Sequence, residues 1–443
     1  SRAAHRMTEP TVHDLRSALR FLNGHVNLEA AAGRIHGLSL EAMRGLVRVM
    51  GDPQVDVRTV HVTGTNGKGS VSAMISGLLV AAGLRVGGYS SPHVDTVRER
   101  LTMDGALIAE EDFVDLVADL ERYEGVAPDQ PSYFELLTAA ALLWFSNEAV
   151  DAAVVEVGLL GRYDATNVID SDVSVVTNIG RDHTDGTGDW RRDVASEKAG
   201  IIRAGRPLVL GETSIGLREV FVAEAPDPLL ERGVDFGIRS TERAVGGQVI
   251  ELWTPTGEYA EVFLGMHGDH QADNAVVALT AAEAFLGVPL GDDVITEGFA
   301  AVQVPGRLEV VSAEPLVVLD GAHNPEAVRA LAASVPEVFP SARRIVVMGC
   351  LGPQEPAEVL DEMSALTPDL VVACTAPSPR AVPAADLAAL ARSRGMDVEA
   401  VPDPVDAVRL AVSVAHEADL ILVTGSFYVL SAAREALDSL DGP

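Results

Sequence analysis

The sequence predicts an α/β protein made of two parallel-sheet units in series, the first the larger. Three observations carry that prediction. Short β-rich apolar runs alternate with helical patterns over most of the 443 residues, which is the texture of βαβ units. One strand runs directly into a glycine-rich turn and a helix. An antiparallel texture interrupts the alternation once, and the alternation resumes after Val304-Pro305-Gly306.

Taken in order, the candidate strands of the first unit are Thr59–Thr63, Arg85–Tyr89, Ala152–Val157, Ser174–Asn178 and Pro207–Leu210. Between the first two, Val71, Met74, Ile75, Leu78 and Leu79 are spaced for one apolar helix face. A helix is expected from Trp190 to Arg203, with Lys198 on the same face as Val194 and Ile201. From about Val234 the pattern changes: Gln248–Trp253 and Tyr259–Phe263, split by Pro255–Gly257, read as a hairpin. A helix Gln271–Leu286 follows. The second unit has strands at Leu316–Leu319, Arg344–Met348, Leu370–Cys374 and Leu420–Val423. The domains are placed at 1–303 and 304–443.

The strand Val60–Thr63 leads into Gly64-Thr65-Asn66-Gly67-Lys68-Gly69-Ser70 and then a helix. Glycines let backbone N–H groups point at an anion, the helix N-terminus adds positive potential, and lysine reaches the outer phosphates. A hydroxyl just after the lysine can ligate Mg²⁺. Val62 stands where the standard string has its first glycine, and Gly69 separates Lys68 from Ser70. The context still reads as ATP or GTP binding. The fold class is therefore a P-loop, parallel-sheet ATP-binding domain followed by a smaller Rossmann-like α/β domain.

Composition narrows the partners. Asp plus Glu total 65 against 33 Lys plus Arg, a formal net charge of −32. Such a surface repels nucleic-acid backbones and anionic lipid, so neither nucleic acid nor membrane is expected as a partner. Of the 33 basic residues only Lys68 and Lys198 are lysines. A chain that has replaced lysine nearly everywhere retains it where a compact amine is needed. Cys350 and Cys374, each in an apolar run, read as reduced core thiols of a cytoplasmic protein. The first ten residues lack an apolar signal core, so secretion is not expected.

Two carboxylates end apolar strands: Glu156 after Ala152–Val155, and Asp320 after Pro315–Leu319. Ligands gather at the carboxyl ends of parallel strands, and a carboxylate there needs a partner. For Glu156 an arginine such as Arg162 is one such partner.

The phosphate-loop string resembles that of the Mur ligase superfamily, and its Gly-Ser ending resembles the folylpolyglutamate synthase/dihydrofolate synthase branch. Other motifs agree in order along the chain: Ser90-Ser91-Pro92-His93, Phe134-Glu135-Leu136-Leu137-Thr138, Glu156-Val157-Gly158, Arg162-Tyr163-Asp164-Ala165-Thr166-Asn167, Asp182-His183-Thr184, Glu197-Lys198-Ala199-Gly200, His270-Gln271 with Asn274, Pro305-Gly306-Arg307 and Asp320-Gly321-Ala322-His323-Asn324-Pro325. The resemblance implies an ATP-dependent amide ligase that forms an acyl phosphate and adds L-glutamate to a folate, with dihydropteroate as a further acceptor. It assigns Lys68, Lys198, Asp320 and His323 to catalysis. It assigns residues Gly64, Thr65, Asn66, Gly67, Lys68, Gly69, Ser70, Gln271, Asn274, Arg307, Asp320 and His323 to ATP. Two Mg²⁺ ions would be held by Ser70, Ser91, Glu156, His183 and Lys198, the last carbamylated by CO₂, a reaction of a neutral amine that arginine cannot replace. Phe134, Arg162, Asp164 and Ala165 would meet the folate. A monomer is implied.

Three stretches depart from the family pattern. Leu160 stands for a glycine in Gly158-Leu159-Leu160-Gly161-Arg162, residues 184–190 differ, and Gly349-Cys350-Leu351-Gly352-Pro353-Gln354 replaces a lysine/aspartate-rich loop. A ligase for a non-folate carboxylate, and a nucleotide-binding protein without catalysis, are the other readings; the intact ATP motif speaks against the second. Because both substrates are anionic, Arg98, Arg100, Arg162 and Arg307 are expected to create a locally positive cleft.

Overall fold

In a computed structural model of the chain, residues 11–27, 39–181, 187–302, 304–352 and 356–440 are described. Eight strands form the first sheet: β1 (Thr59–Thr63), β2 (Val86–Tyr89), β3 (Leu101–Met103), β4 (Ala106–Leu107), β5 (Ala152–Glu156), β6 (Val173–Val176), β7 (Leu208–Leu210) and β8 (Leu229–Glu231). Their order is β4-β3-β2-β5-β1-β6-β7-β8, parallel from β2 to β8, with β3 and β4 antiparallel at one edge. The order places β1 between β5 and β6, so three carboxyl ends meet at one crevice.

β1 is buried along its whole length, which suits its β-branched composition. The helix that follows, Lys68–Ala81, buries Val71, Met74, Ile75, Leu78 and Leu79 completely, the apolar face read from spacing. It crosses the helix Asp292–Ala300 at a glycine pair. A Cβ on Gly77 would lie 2.6 Å from the Gly298 carbonyl oxygen, and one on Gly298 would lie 2.9 Å from Leu78 Cα. The helix Asp269–Leu286 packs on the same face of the sheet and ends on Gly287 at φ 73°.

The hairpin is part of a three-stranded antiparallel sheet, β9 (Gly237–Ala244), β10 (Gly247–Thr254) and β11 (Gly257–Leu264). β9 carried no sequence signal because most of it faces solvent and its composition is polar. The sheet is tied to the helix Asp269–Leu286 by buried Glu283. That carboxylate accepts from Thr254 Oγ1 (2.7 Å), Thr256 Oγ1 (2.6 Å), Tyr259 OH and the Leu290 amide (3.1 Å).

Six strands form the second sheet: β12 (Glu309–Ala313), β13 (Leu316–Leu319), β14 (Arg344–Met348), β15 (Leu370–Ala373), β16 (Val398–Ala400) and β17 (Leu420–Thr424). Their order is β12-β13-β17-β14-β15-β16, with only β12 antiparallel. The units are joined by polar contacts. Arg181 pairs with Glu358 (2.9 Å), Arg434 with Asp95 (3.1 Å), and Arg243 with Glu337 (2.8 Å). Among the described residues no helix is long and apolar enough to cross a membrane.

One expected helix is shorter than its pattern. It spans Trp190–Ala199, not Trp190–Arg203, because Gly200 ends it and Arg203 turns back to bond the Ile201 and Ile169 carbonyl oxygens (3.1 and 2.6 Å). Removing the four-donor anchor should be costly: Glu283→Ala is expected to lower stability by about 2–4 kcal/mol, since buried donors lose their acceptor. The shift of the denaturant midpoint measures it, and an unchanged midpoint would show that the anchor is dispensable.

Candidate active site

The phosphate loop is held from three sides. Asn66 donates its amide to Asn178 Oδ1 (2.9 Å), and its carbonyl oxygen accepts from Thr177 Oγ1 (2.6 Å) and Asn178 Nδ2 (3.0 Å). Gly64 (φ 151°) and Gly67 (φ 82°) cannot be replaced: an added Cβ would lie 1.8 Å from Thr177 Oγ1 and 2.5 Å from Asn274 Oδ1 respectively. The two lysines of the chain converge here. Lys68 Nζ donates to the Gly64 carbonyl (3.0 Å) and to that of Thr65 (3.4 Å), while the fully buried Lys198 Nζ donates to the same Gly64 carbonyl from below (2.9 Å).

A cavity of about 920 Å³ opens over this loop and is walled by both units. Of the residues expected to bind nucleotide, Thr65 to Ser70, Gln271, Asn274, Arg307, Asp320 and His323 line it, as do Ser91 and Glu156. Asn274 is set by a hydrogen bond from its Nδ2 to Gln271 Oε1 (2.9 Å). From the second unit, Asn324 Nδ2 donates to Asn66 Oδ1 (2.8 Å), which links the phosphate loop to the first turn of the helix Pro325–Val338. Asp320 accepts from the Leu308 amide (3.0 Å) and the Ala322 amide (2.9 Å). It thereby fixes the left-handed turn at Gly306 and Leu308 (φ 68° and 46°) that presents Arg307. Phe427, which sequence reasoning did not single out, lies under the Arg307 guanidinium (4.8 Å) and beside the His323 ring (6.1 Å). His323 Nδ1 bonds the Gly321 carbonyl oxygen (2.8 Å), so Nδ1 carries the proton and, in the neutral ring, Nε2 is an acceptor.

Other expectations resolve differently. Lys198 lies behind the loop, not in the cavity wall. Phe134, Arg162, Asp164 and Ala165 also stand outside it. Phe134 is one layer back, its ring so close to Gly158 that a Cβ there would meet it at 2.3 Å. Asp164 is buried, accepting from the Leu159 amide (2.8 Å) and from Thr166, and burial pushes its carboxyl up to about 6. Ala165 begins the short turn Ala165–Val168 beneath it. Arg162 does not pair with Glu156; it binds Glu224 and the Ser196 carbonyl oxygen. Leu160, where the family has glycine, holds φ 59°, a left-handed backbone costing about 1 kcal/mol in a residue with a side chain. His183 lies outside the described residues.

The positive lining is also redistributed. Arg98 turns to the Ile108 carbonyl oxygen (3.1 Å) and Arg100 to His93 Nδ1 (2.9 Å), so the cationic wall consists of Lys68, Arg181, Arg191, Arg232, Arg307 and Arg380. Arg380, absent from the sequence reading, follows β15 and could have been noticed as an arginine beyond a strand's carboxyl end.

Ser70 and Glu156 stand out among the cavity's polar groups. Ser70 Oγ is buried and bonds nothing among the described residues. Glu156 is 3% exposed, and burial pushes its carboxyl up to about 7 against the pull of Lys68, the Ser91 amide (3.3 Å), Arg307 and Arg100. A raised carboxyl contributes stability that is complete below about pH 4.5 and disappears as pH rises through about 7. In EDTA, Glu156→Gln should therefore gain about 3 kcal/mol relative to the parent between pH 4.5 and pH 8. Denaturant unfolding at both pH values measures this, and a pH-independent difference would refute it.

The comparisons with known proteins match this architecture. Residues 62–282 match the Mur ligase middle domain and residues 306–427 the Mur ligase glutamate ligase domain. The dihydrofolate synthase/folylpolyglutamate synthase of Mycobacterium tuberculosis is 37% identical over 437 residues, covering 89% of each chain. Escherichia coli FolC in complex with DHPP and ADP superposes with a TM-score of 0.87 at 30% identity, over 98% of this chain and 100% of that one. A bifunctional folylpolyglutamate synthase/dihydrofolate synthase with Mn, AMPPNP and L-glutamate bound gives 0.84 at 31% identity, over 98% and 100%. With a phosphate loop facing a second α/β unit across one cavity, the chain belongs to the dihydrofolate synthase/folylpolyglutamate synthase family of Mur ligases.

Proposed function

We propose that the chain is an ATP-dependent ligase that joins L-glutamate to a folate carboxylate, and that it also accepts dihydropteroate. The observation that carries this reading is the cavity itself: a nucleotide-binding loop on one wall and Arg307, Asp320 and His323 on the other. In the reaction a carboxylate oxygen attacks the γ-phosphorus of ATP and ADP leaves. The amino group of glutamate then attacks the acyl carbon, loses a proton, and phosphate departs with the carbon–oxygen bonding pair.

The difficulty in this chemistry is charge: a carboxylate must approach three phosphates. Lys68 and Arg307 face the space where these anions would lie, and the free N–H groups at the start of the helix Lys68–Ala81 point the same way. Ser70 and Glu156 fit a divalent cation, because the serine oxygen is buried without a donor and the carboxylate is buried without a full counter-charge. Magnesium bound there supplies positive charge against the phosphate oxygens. Ser91 orients Glu156 through its amide, and His183 remains a candidate ligand for a second ion. Lys198 is proposed to be carbamylated: it is a buried primary amine directly beneath the loop, where an acquired carboxylate would face the same cations. The fully buried Cys350 and Cys374, whose thiols burial pushes up to about 12, accord with a reduced cytoplasmic setting. A monomer is the proposed state.

An ATP-hydrolysis assay with L-glutamate and a panel of acceptors tests the substrate. Turnover is expected with dihydropteroate or tetrahydrofolate; turnover with an unrelated aryl carboxylate and with neither pterin would sink the folate reading. Lys68→Ala should reduce kcat/KM by about 10²-fold or more. For Lys198→Ala, activity should vanish, ATP binding should persist, and short carboxylic acids should restore turnover; full activity without them would remove the carbamate role.

A further inference from the structure

Arg434 stands outside the cavity wall, yet its guanidinium touches both units. It lies on the helix Phe427–Leu440 of the second unit, seven residues beyond Phe427 and so on the same face. Its Nη2 donates to both oxygens of Glu309 (2.7 Å each), and its Nε lies 3.1 Å from Asp95 Oδ2 of the first unit. The contact with Asp95 is an ion pair and not an aligned hydrogen bond, so it depends on charge.

Each of these pairs continues toward a group that lines the cavity. In the second unit, Glu309 Oε2 also accepts from the Gly306 amide (2.8 Å), in the turn that presents Arg307. Phe427, on the same helix as Arg434, lies under the Arg307 guanidinium. In the first unit, the amides of Val94, Asp95 and Thr96 all donate to the Glu99 carboxylate (2.8, 2.8 and 2.7 Å), which clamps the turn that carries Asp95. Val94 packs against an apolar cluster of the second unit. Four residues before Asp95, the Ser91 amide donates to Glu156 Oε2 (3.3 Å). One guanidinium is thus joined by two short segments to Glu156 in one unit and to Arg307 in the other. Asp95 is half-exposed, and an ion pair so exposed adds little to stability; its consequence is geometric.

We infer that Arg434 is a positioning residue for the ligase reaction. From outside the cavity it fixes where Arg307 stands relative to Glu156, so that the phosphate-facing guanidinium and the cation-binding carboxylate address the same nucleotide. The inference rests on the ligase reading above. An arginine suits the task because its planar fork holds two carboxylates in fixed directions, a geometry that the single ammonium of a lysine does not reproduce. Placement matters because the reaction is assisted by charges set in advance, and a displacement of about 1 Å by a distant change can cost about 10²-fold in rate.

The test compares the parent enzyme with Asp95→Asn, Arg434→Gln, Arg434→Lys and the double variant Asp95→Asn/Arg434→Gln. Three quantities are read: kcat at saturating substrates, Kd for a non-hydrolysable ATP analogue by calorimetry with and without Mg²⁺, and the denaturant midpoint. Asp95→Asn removes only the contact between units. It should keep the parent's midpoint and its metal-free affinity, lower kcat about ten-fold, and shrink the gain in affinity that Mg²⁺ brings about five-fold. The double variant should be no worse than Arg434→Gln, because both changes break one link. Arg434→Lys should lose less than Arg434→Gln. If Arg434→Gln does not fold, Asp95→Asn carries the test. Parental kcat and Mg²⁺ gain in Asp95→Asn overturn the inference, since Arg434 would then only brace Glu309 within the second unit. Losses that add in the double variant overturn it as well. A parent enzyme that binds the analogue with Mg²⁺ but ligates no amino acid to any acceptor would instead overturn the ligase reading, while the Mg²⁺ gain still reports on Arg434.

Discussion

Everything at the catalytic crevice depends on one carbonyl oxygen. Gly64 O receives the ammonium of Lys68 from the cavity side and that of Lys198 from the buried side. A lone carbonyl between two ammonium groups is a costly arrangement unless the surrounding backbone is immobile and anions are close by. Immobility comes from the chain leaving β6, where Thr177 and Asn178 hold the carbonyl of Asn66, two residues on. The anions come from Glu156 at the end of β5 and, in use, from the substrates. Three adjacent parallel strands are needed to bring these groups together, which is why the β5-β1-β6 order matters more to this site than any single motif.

The acidity of the chain is managed by position. The cavity draws its cations from six residues on both units, whereas several arginines elsewhere pair locally with carboxylates, such as Arg218 with Glu231 and Arg394 with Asp361. Screening by salt weakens those outer pairs but reaches the buried ones much less. The two units also meet through charged and amide contacts.

Much of the fold was legible because β-branched runs and an i, i+3, i+4 helix face are local signals: β1, β5 and the helix after the phosphate loop follow directly from them. The loop chemistry was legible for the same reason, since glycine, lysine and hydroxyl sit within one turn of chain. What escaped depends on distance along the sequence. Arg162 finds Glu224, 62 residues away, and so cannot serve Glu156. The helix after Trp190 stops at Gly200 because Arg203 is claimed by carbonyls at 169 and 201. β9 has no apolar alternation because its face is solvent. Arg380 lies just beyond a strand's carboxyl end, and the packing of two loops brings it to the cavity.

The replacement of lysine by arginine has a practical side. Lys198 is 1% exposed and Lys68 is half-buried over its own loop, so neither lysine stands on the outer surface. Amine-directed reagents used for cross-linking, dye attachment or immobilisation on a sensor chip would meet no lysine handle outside the crevice. Labelling at Lys68 would instead become a direct gauge of crevice occupancy, with a bound nucleotide acting as the shield.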